Sequence, residues 1–123
     1  MASVEEALAR TRELGIHFGE PELHRIRGEL LRMREENEEA LRCFLRARVQ
    51  ARHQRAALLE LRATVSLARL LRDTGHGVLA RRRLVRALHA ARVDPEAVDY
   101  QAAHVLLEQF SPRPEPEALS LAH

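Results

Sequence analysis

A short pattern of small and large residues occurs twice in this chain at a fixed spacing. Ala40, Phe44 and Ala47 recur forty residues later as Ala80, Leu84 and Ala87. Twelve residues ahead of each leading alanine stands another small residue, Gly28 and then Ala68. Three residues after that comes a leucine, Leu31 and then Leu71. Offsets of three and four place each set on one face of a helix. Small residues there let two antiparallel helices approach closely, and the larger residue plugs the space beside them. The expected fold is all-α: about six helices in antiparallel hairpins, stacked as a short solenoid.

Composition supports that reading. Ala, Leu, Arg and Glu supply most of the 123 residues, and aromatics are scarce. All 20 basic residues are Arg, yet 18 acids interleave with them and the formal net charge is only +2. A nucleic-acid module ordinarily carries a clear basic excess, so nucleic acid is not an expected partner. The lone Cys43 can form neither an internal disulfide nor a multi-cysteine metal site, and suits a reducing compartment. Residues 1–6 are acidic and lack an apolar segment, so no secretory leader is expected. No apolar run approaches the roughly 18 residues of a membrane span. The expectation is a soluble, cytoplasmic chain without membrane contact.

Helix signals divide the chain. Ser3 and Glu6 form a capping box for a first helix, with Gly15 as its stop. Pro21 opens a second, which carries Leu23, Ile26, Leu30 and Leu31 and ends near Met33 or Arg34. The acids from Glu35 to Glu39 favour the start of a third. Residues 51–60 hold neither Gly nor Pro; a turn near His53 to Arg55 is expected there, the alternative being one continuous helix. A fourth helix ends at Thr74-Gly75-His76-Gly77, and a fifth covers about Val78 to Ala91. Asp94-Pro95-Glu96 is expected to cap and start a sixth, ending near Phe110. Residues 1–110 then form one helical-repeat domain, and the Pro-rich segment 111–123 a flexible tail.

From Glu22 to Phe110 the chain resembles a known family. The residues that carry this are the stretch from Glu22 to Leu31, the stretch from Glu60 to Gly75, and Asp99-Tyr100-Gln101-Ala102-Ala103 with Leu106-Leu107-Glu108. They are similar to the C-terminal tetratricopeptide-like region of large bacterial ATPase regulators, found in LuxR-type regulators and multidomain adenylate cyclases. The resemblance implies a regulatory module that binds a partner protein. It departs from the family at Arg34-Glu35, where the hairpin usually turns on glycine, and at Leu58-Leu59, where a Ser-Trp pair usually stands. The forty-residue spacing also exceeds the usual period of about 34. The surplus is expected between Ala47 and Glu60. No GxxxxGK[ST] loop occurs, and without any Lys none can be completed, so the family's enzymatic activity is not implied.

Side chains with chemical potential are dispersed. The seven histidines make no HxxxH or HExxH arrangement; His104 and Glu108 share a face but offer only two ligands. Cys43 precedes Phe44 on an apolar helix and is expected to pack. Thr64 and Ser66 lack a positioned base. No catalytic residue, metal or cofactor is expected, and the chain is read as a non-enzyme.

Recognition is the expected function. The first helix of each hairpin should line a concave groove, presenting Glu22, Arg25, Glu29 and Arg32 from one hairpin. Arg62, Val65, Ser66, Arg69 and Arg72 come from the next. About five guanidinium groups would then face two or three carboxylates, a setting for an acidic peptide or the acidic surface of a partner protein. The alternative is that these arginines merely pair with acids at i,i+4. A second basic cluster, Arg81, Arg82, Arg83 and Arg86, is either a solvated convex face or a contact for an acidic partner or nucleic acid. Self-association is a further candidate, through Leu8, Ile16, Phe18, Leu107 and Phe110 at the outer helices.

Overall fold

The computed structural model describes residues 5–7, 9, 10, 12, 13 and 19–110. Five helices follow one another: α1 (Glu20–Met33), α2 (Asn37–His53), α3 (Ala57–Asp73), α4 (Gly77–Ala90) and α5 (Val98–Gln109). Residues 5–7, 9, 10, 12 and 13 are helical as well, and no strand occurs among the described residues. The protein is an all-α stack of antiparallel hairpins. The Ser3 capping box, the Gly15 stop and the tail beyond Phe110 lie outside the described residues.

The three turns joining α1 to α4 are the same object. Each consists of three residues, 34–36, 54–56 and 74–76, so helix plus turn recurs every twenty. In each, the middle residue has positive φ: 62° at Glu35, 55° at Arg55 and 89° at Gly75. The next amide reaches back to the last turn of the helix, Glu36 to the Leu31 carbonyl at 3.0 Å, Ala56 to Ala51 at 2.8 Å and His76 to Leu71 at 2.7 Å. This is the left-handed C-terminal stop that satisfies orphan carbonyls and reverses the chain. Residues 54–56 turn where the sequence suggested, without the glycine that such a turn favours. The surplus over the usual repeat length is not confined to 47–60. It is spread over the helices, α2 and α3 having 17 residues each.

The sixth helical segment starts later than expected. Asp94 accepts a 2.9 Å bond from the Glu96 amide on its Oδ1, and its carbonyl accepts the Ala97 amide at 2.9 Å. That local turn runs from Asp94 to Ala97 with Pro95 and Glu96 at its centre, Ala97 stays extended at ψ 142°, and α5 begins only at Val98.

The core sits around α3. Leu61, Val65, Leu67, Ala68, Leu70 and Leu71 are buried there, together with Thr64 and Ser66. A helix buried on nearly all sides must be central, and α3 packs against each of the other four. Phe44 of α2 inserts as a fully buried plug against Gly28, and Leu84 of α4 is fully buried in the same core cluster as Ala68. The odd helices lie side by side, α1 on α3 and α3 on α5. By contrast no Cα of α2 lies within 8 Å of α4. The stack is therefore closed along its odd helices and splayed along its even ones.

Candidate functional site

The closed side carries a row of ion pairs that crosses three helices. Glu22, in the first turn of α1, is only 5% exposed. Arg25, one turn on, donates to it through Nε at 3.0 Å and Nη2 at 2.8 Å. Arg62 of α3 donates to the same carboxylate at 2.9 Å. The Arg62 guanidinium also forks onto Asp99 of α5, with Nε to Oδ1 at 3.1 Å and Nη2 to Oδ2 at 2.8 Å. Burial alone would raise the Glu22 carboxyl; hydrogen bonds and charge from Arg25 and then Arg62 outweigh it and hold the group below its ordinary value. The Asp99 hydrogen bonds, against the opposing effect of burial, push Arg62 upward, with Glu22 adding to the rise. Both groups are locked in their charged forms.

A second set lies toward the C-terminal ends of α1 and α3. Arg32 donates twice to Glu29 Oε2, at 3.0 and 2.8 Å, and approaches Asp73 at 3.6 Å. Glu29 Oε1 is buried without a partner. Arg72 donates to Asp73 at 3.1 Å and to Gln109 of α5 at 2.9 Å.

The sequence-derived groove residues do assemble on one side, but with a different balance. Arg25, Arg32, Arg62 and Arg72 are all engaged by acids, and Asp73 and Asp99 join Glu22 and Glu29 as counter-charges. Five arginines face four carboxylates, not two or three. The pairs run from i to i+3 within α1, between neighbours at Arg72–Asp73, and across helices elsewhere; none is the i,i+4 pairing expected as the alternative. Glu22 is buried beneath the groove, whereas Val65 and Ser66, although almost fully buried, still contribute to its lining. Arg69 alone among the five has no hydrogen-bond or ion-pair partner among the described residues. It lines a cleft of about 370 Å³ with Arg25, Arg62, Val98, Asp99 and Ala102. Val98 stands 82% exposed at its edge. The cleft thus offers one uncommitted guanidinium beside an apolar contact, on a wall fixed by the Glu22–Arg62–Asp99 chain.

The second cluster divides. Arg81 and Arg82 are exposed on α4, whereas Arg83 and Arg86 line a separate cleft between α2 and α4. Cys43 is half-buried, and burial pushes its thiol up. His104 meets Tyr100 ring to ring at 4.9 Å. Among the described residues no group of three potential metal ligands occurs, and no helix is long and apolar enough to cross a membrane.

Searches of protein-family models, of curated proteins and of solved structures find no match to this chain.

Proposed function

We propose that the protein is a non-enzymatic, tetratricopeptide-like interaction module that binds a short acidic and apolar segment of a partner protein along α1, α3 and α5. The observation that carries this reading is Arg69, an unpaired guanidinium beside the exposed Val98 in a cleft whose other arginines are already held by acids. A pre-arranged surface of this kind loses little conformational freedom on binding. Arg69 would take the partner's carboxylate by a charge-assisted pair, and Val98 and Ala102 its apolar neighbour. A displayed random-peptide selection tests it: wild-type protein should enrich sequences that join Asp or Glu to an apolar residue, and R69E should not. Identical enrichment by both proteins, or none by either, removes the proposal.

Self-association is the second reading, favoured by the outward face of α5. Val98 and Val105, two turns apart, are 82% and 54% exposed. Leu107 and Phe110 pack against the core and do not contribute to that face, and Leu8, Ile16 and Phe18 lie outside the described residues. Light scattering over a concentration series decides it, since a strict monomer excludes this reading.

A further inference from the structure

The splayed side of the stack holds a charge arrangement unlike that of the closed side. Between α2 and α4 runs a cleft of about 690 Å³, within the size range of small-ligand sites. Arg48 and Arg52 reach it from α2, Arg55 from the turn, Arg83 and Arg86 from α4, and Arg92 from the segment beyond. Six guanidinium groups there face a single carboxylate, Glu60. That carboxylate is already committed to Arg52, which donates to it at 3.0 Å. The other five arginines have no acid partner among the described residues.

Like charges gathered at one place repel, and the fold supplies little to offset this. Arg48 shows the tension most plainly. Its Nε–H is shielded from solvent and has no acceptor. Burial first, then the charges of Arg83 and Arg52, pull its guanidinium below the ordinary arginine value, with Glu60 opposing. Across the stack, by contrast, each buried or half-buried acid was matched to a guanidinium. The floor between the arginines is small and apolar, with Leu61, Ala87 and Ala90.

We infer that the α2–α4 cleft binds a compact anion carrying two or more adjoining phosphoryl groups. Guanidinium forks match phosphate oxygens in bidentate geometry, and several converging forks require several anionic groups close together. Convergence on one concavity, as opposed to a stripe along the surface, favours a compact ligand over a nucleic-acid backbone. The exposed Arg81 and Arg82 lie outside the cleft and provide an internal control.

Calorimetric titration of the full chain with inorganic tripolyphosphate and with adenosine triphosphate tests this, at low and raised sodium chloride. Saturable one-to-one binding that weakens with salt is expected. Equal affinity for the two would assign the site to the phosphoryl chain alone, and tighter nucleotide binding would put the nucleoside on the alanine floor. The R83Q/R86Q variant should lose about tenfold or more in affinity, and R81Q/R82Q less than about twofold. If circular dichroism shows R83Q/R86Q to be misfolded, R92Q, in the exposed segment after α4, carries the same comparison. The inference is overturned if neither polyphosphate binds the folded protein, or if the control variant loses as much affinity as the cleft variant. It is also overturned if a single-stranded oligonucleotide binds where both small anions fail.

Discussion

The ring of Phe44 lies over Gly28 so closely that a Cβ on that glycine would stand 2.5 Å from the ring edge. In the second copy of the repeat the same two positions are Ala68 and Leu84, both fully buried. One more carbon on the small partner is answered by a smaller side chain opposite. Gly28→Ala gains up to about 1 kcal/mol of helix propensity, but overpacking costs about 1–3 kcal/mol. A net loss of stability is expected. Phe44→Leu alone should also destabilise, by leaving a cavity. The G28A/F44L double variant should lie closer to wild type than the sum of the two. Urea melts of all four proteins check this, and simple additivity would show that the two positions are not coupled.

Two of the three identical turns hold a side chain where the backbone favours glycine. Glu35→Gly and Arg55→Gly relieve that conformation and should each stabilise by about 0.5–1 kcal/mol, the greater flexibility of the unfolded chain offsetting part of the gain. Gly75→Ala should cost about 1 kcal/mol, although no neighbour lies within 4 Å of the added carbon. Thermal midpoints read the signs directly. A destabilising Arg55→Gly would mean that its side chain contributes more than its backbone conformation costs.

Glu22 joins α1 to α3 through Arg62, and its removal leaves two guanidinium groups short of a partner. Glu22→Gln is expected to cost about 1–3 kcal/mol at neutral pH. The pH dependence follows from the direction of the shift. The folded carboxyl lies below the reference 4.5, so its contribution is complete above that value and disappears as pH falls through the lower, folded value. Wild-type stability should therefore fall with acidification below about 4.5, and more steeply than that of E22Q. Parallel pH profiles for the two proteins would contradict this.

Cys43 is half-buried, and its thiol is raised first by desolvation. Nucleophilic attack needs the thiolate, so a disulfide reagent should modify the native protein at least about tenfold more slowly than the urea-unfolded chain. Equal rates at mildly alkaline pH would place the sulfur in solvent.

Much of the frame could be read from local signals. Pro21, the acids before Asn37 and the Thr74–Gly77 stop mark helix ends by chemistry that acts within a few residues. The Gly28–Phe44 and Ala68–Leu84 pairs are visible because a repeated offset reports a repeated contact. What escaped depends on distance through space. Asp99 meets Arg62 across 37 positions of chain, and Asp73 approaches Arg32, only because α1, α3 and α5 lie side by side. Arg48, Arg52 and Arg55 look like ordinary helix-surface charges until α4 brings Arg83 and Arg86 opposite them. The start of α5 is not legible locally, because Asp94 satisfies backbone donors in a turn ahead of the helix, a choice open to any Asp-Pro pair.

The uniform turns at 34–36, 54–56 and 74–76 also bear on how such a chain can change length. With these three turns spaced twenty residues apart, a forty-residue segment duplicated or deleted between Arg34 and His76 would rejoin in phase, turn meeting turn. Genetic gain or loss of a whole hairpin then leaves the cross-section of the stack intact, whereas a smaller insertion inside a helix rotates every later face. Extent is free to drift in this architecture, and phase is what selection must guard.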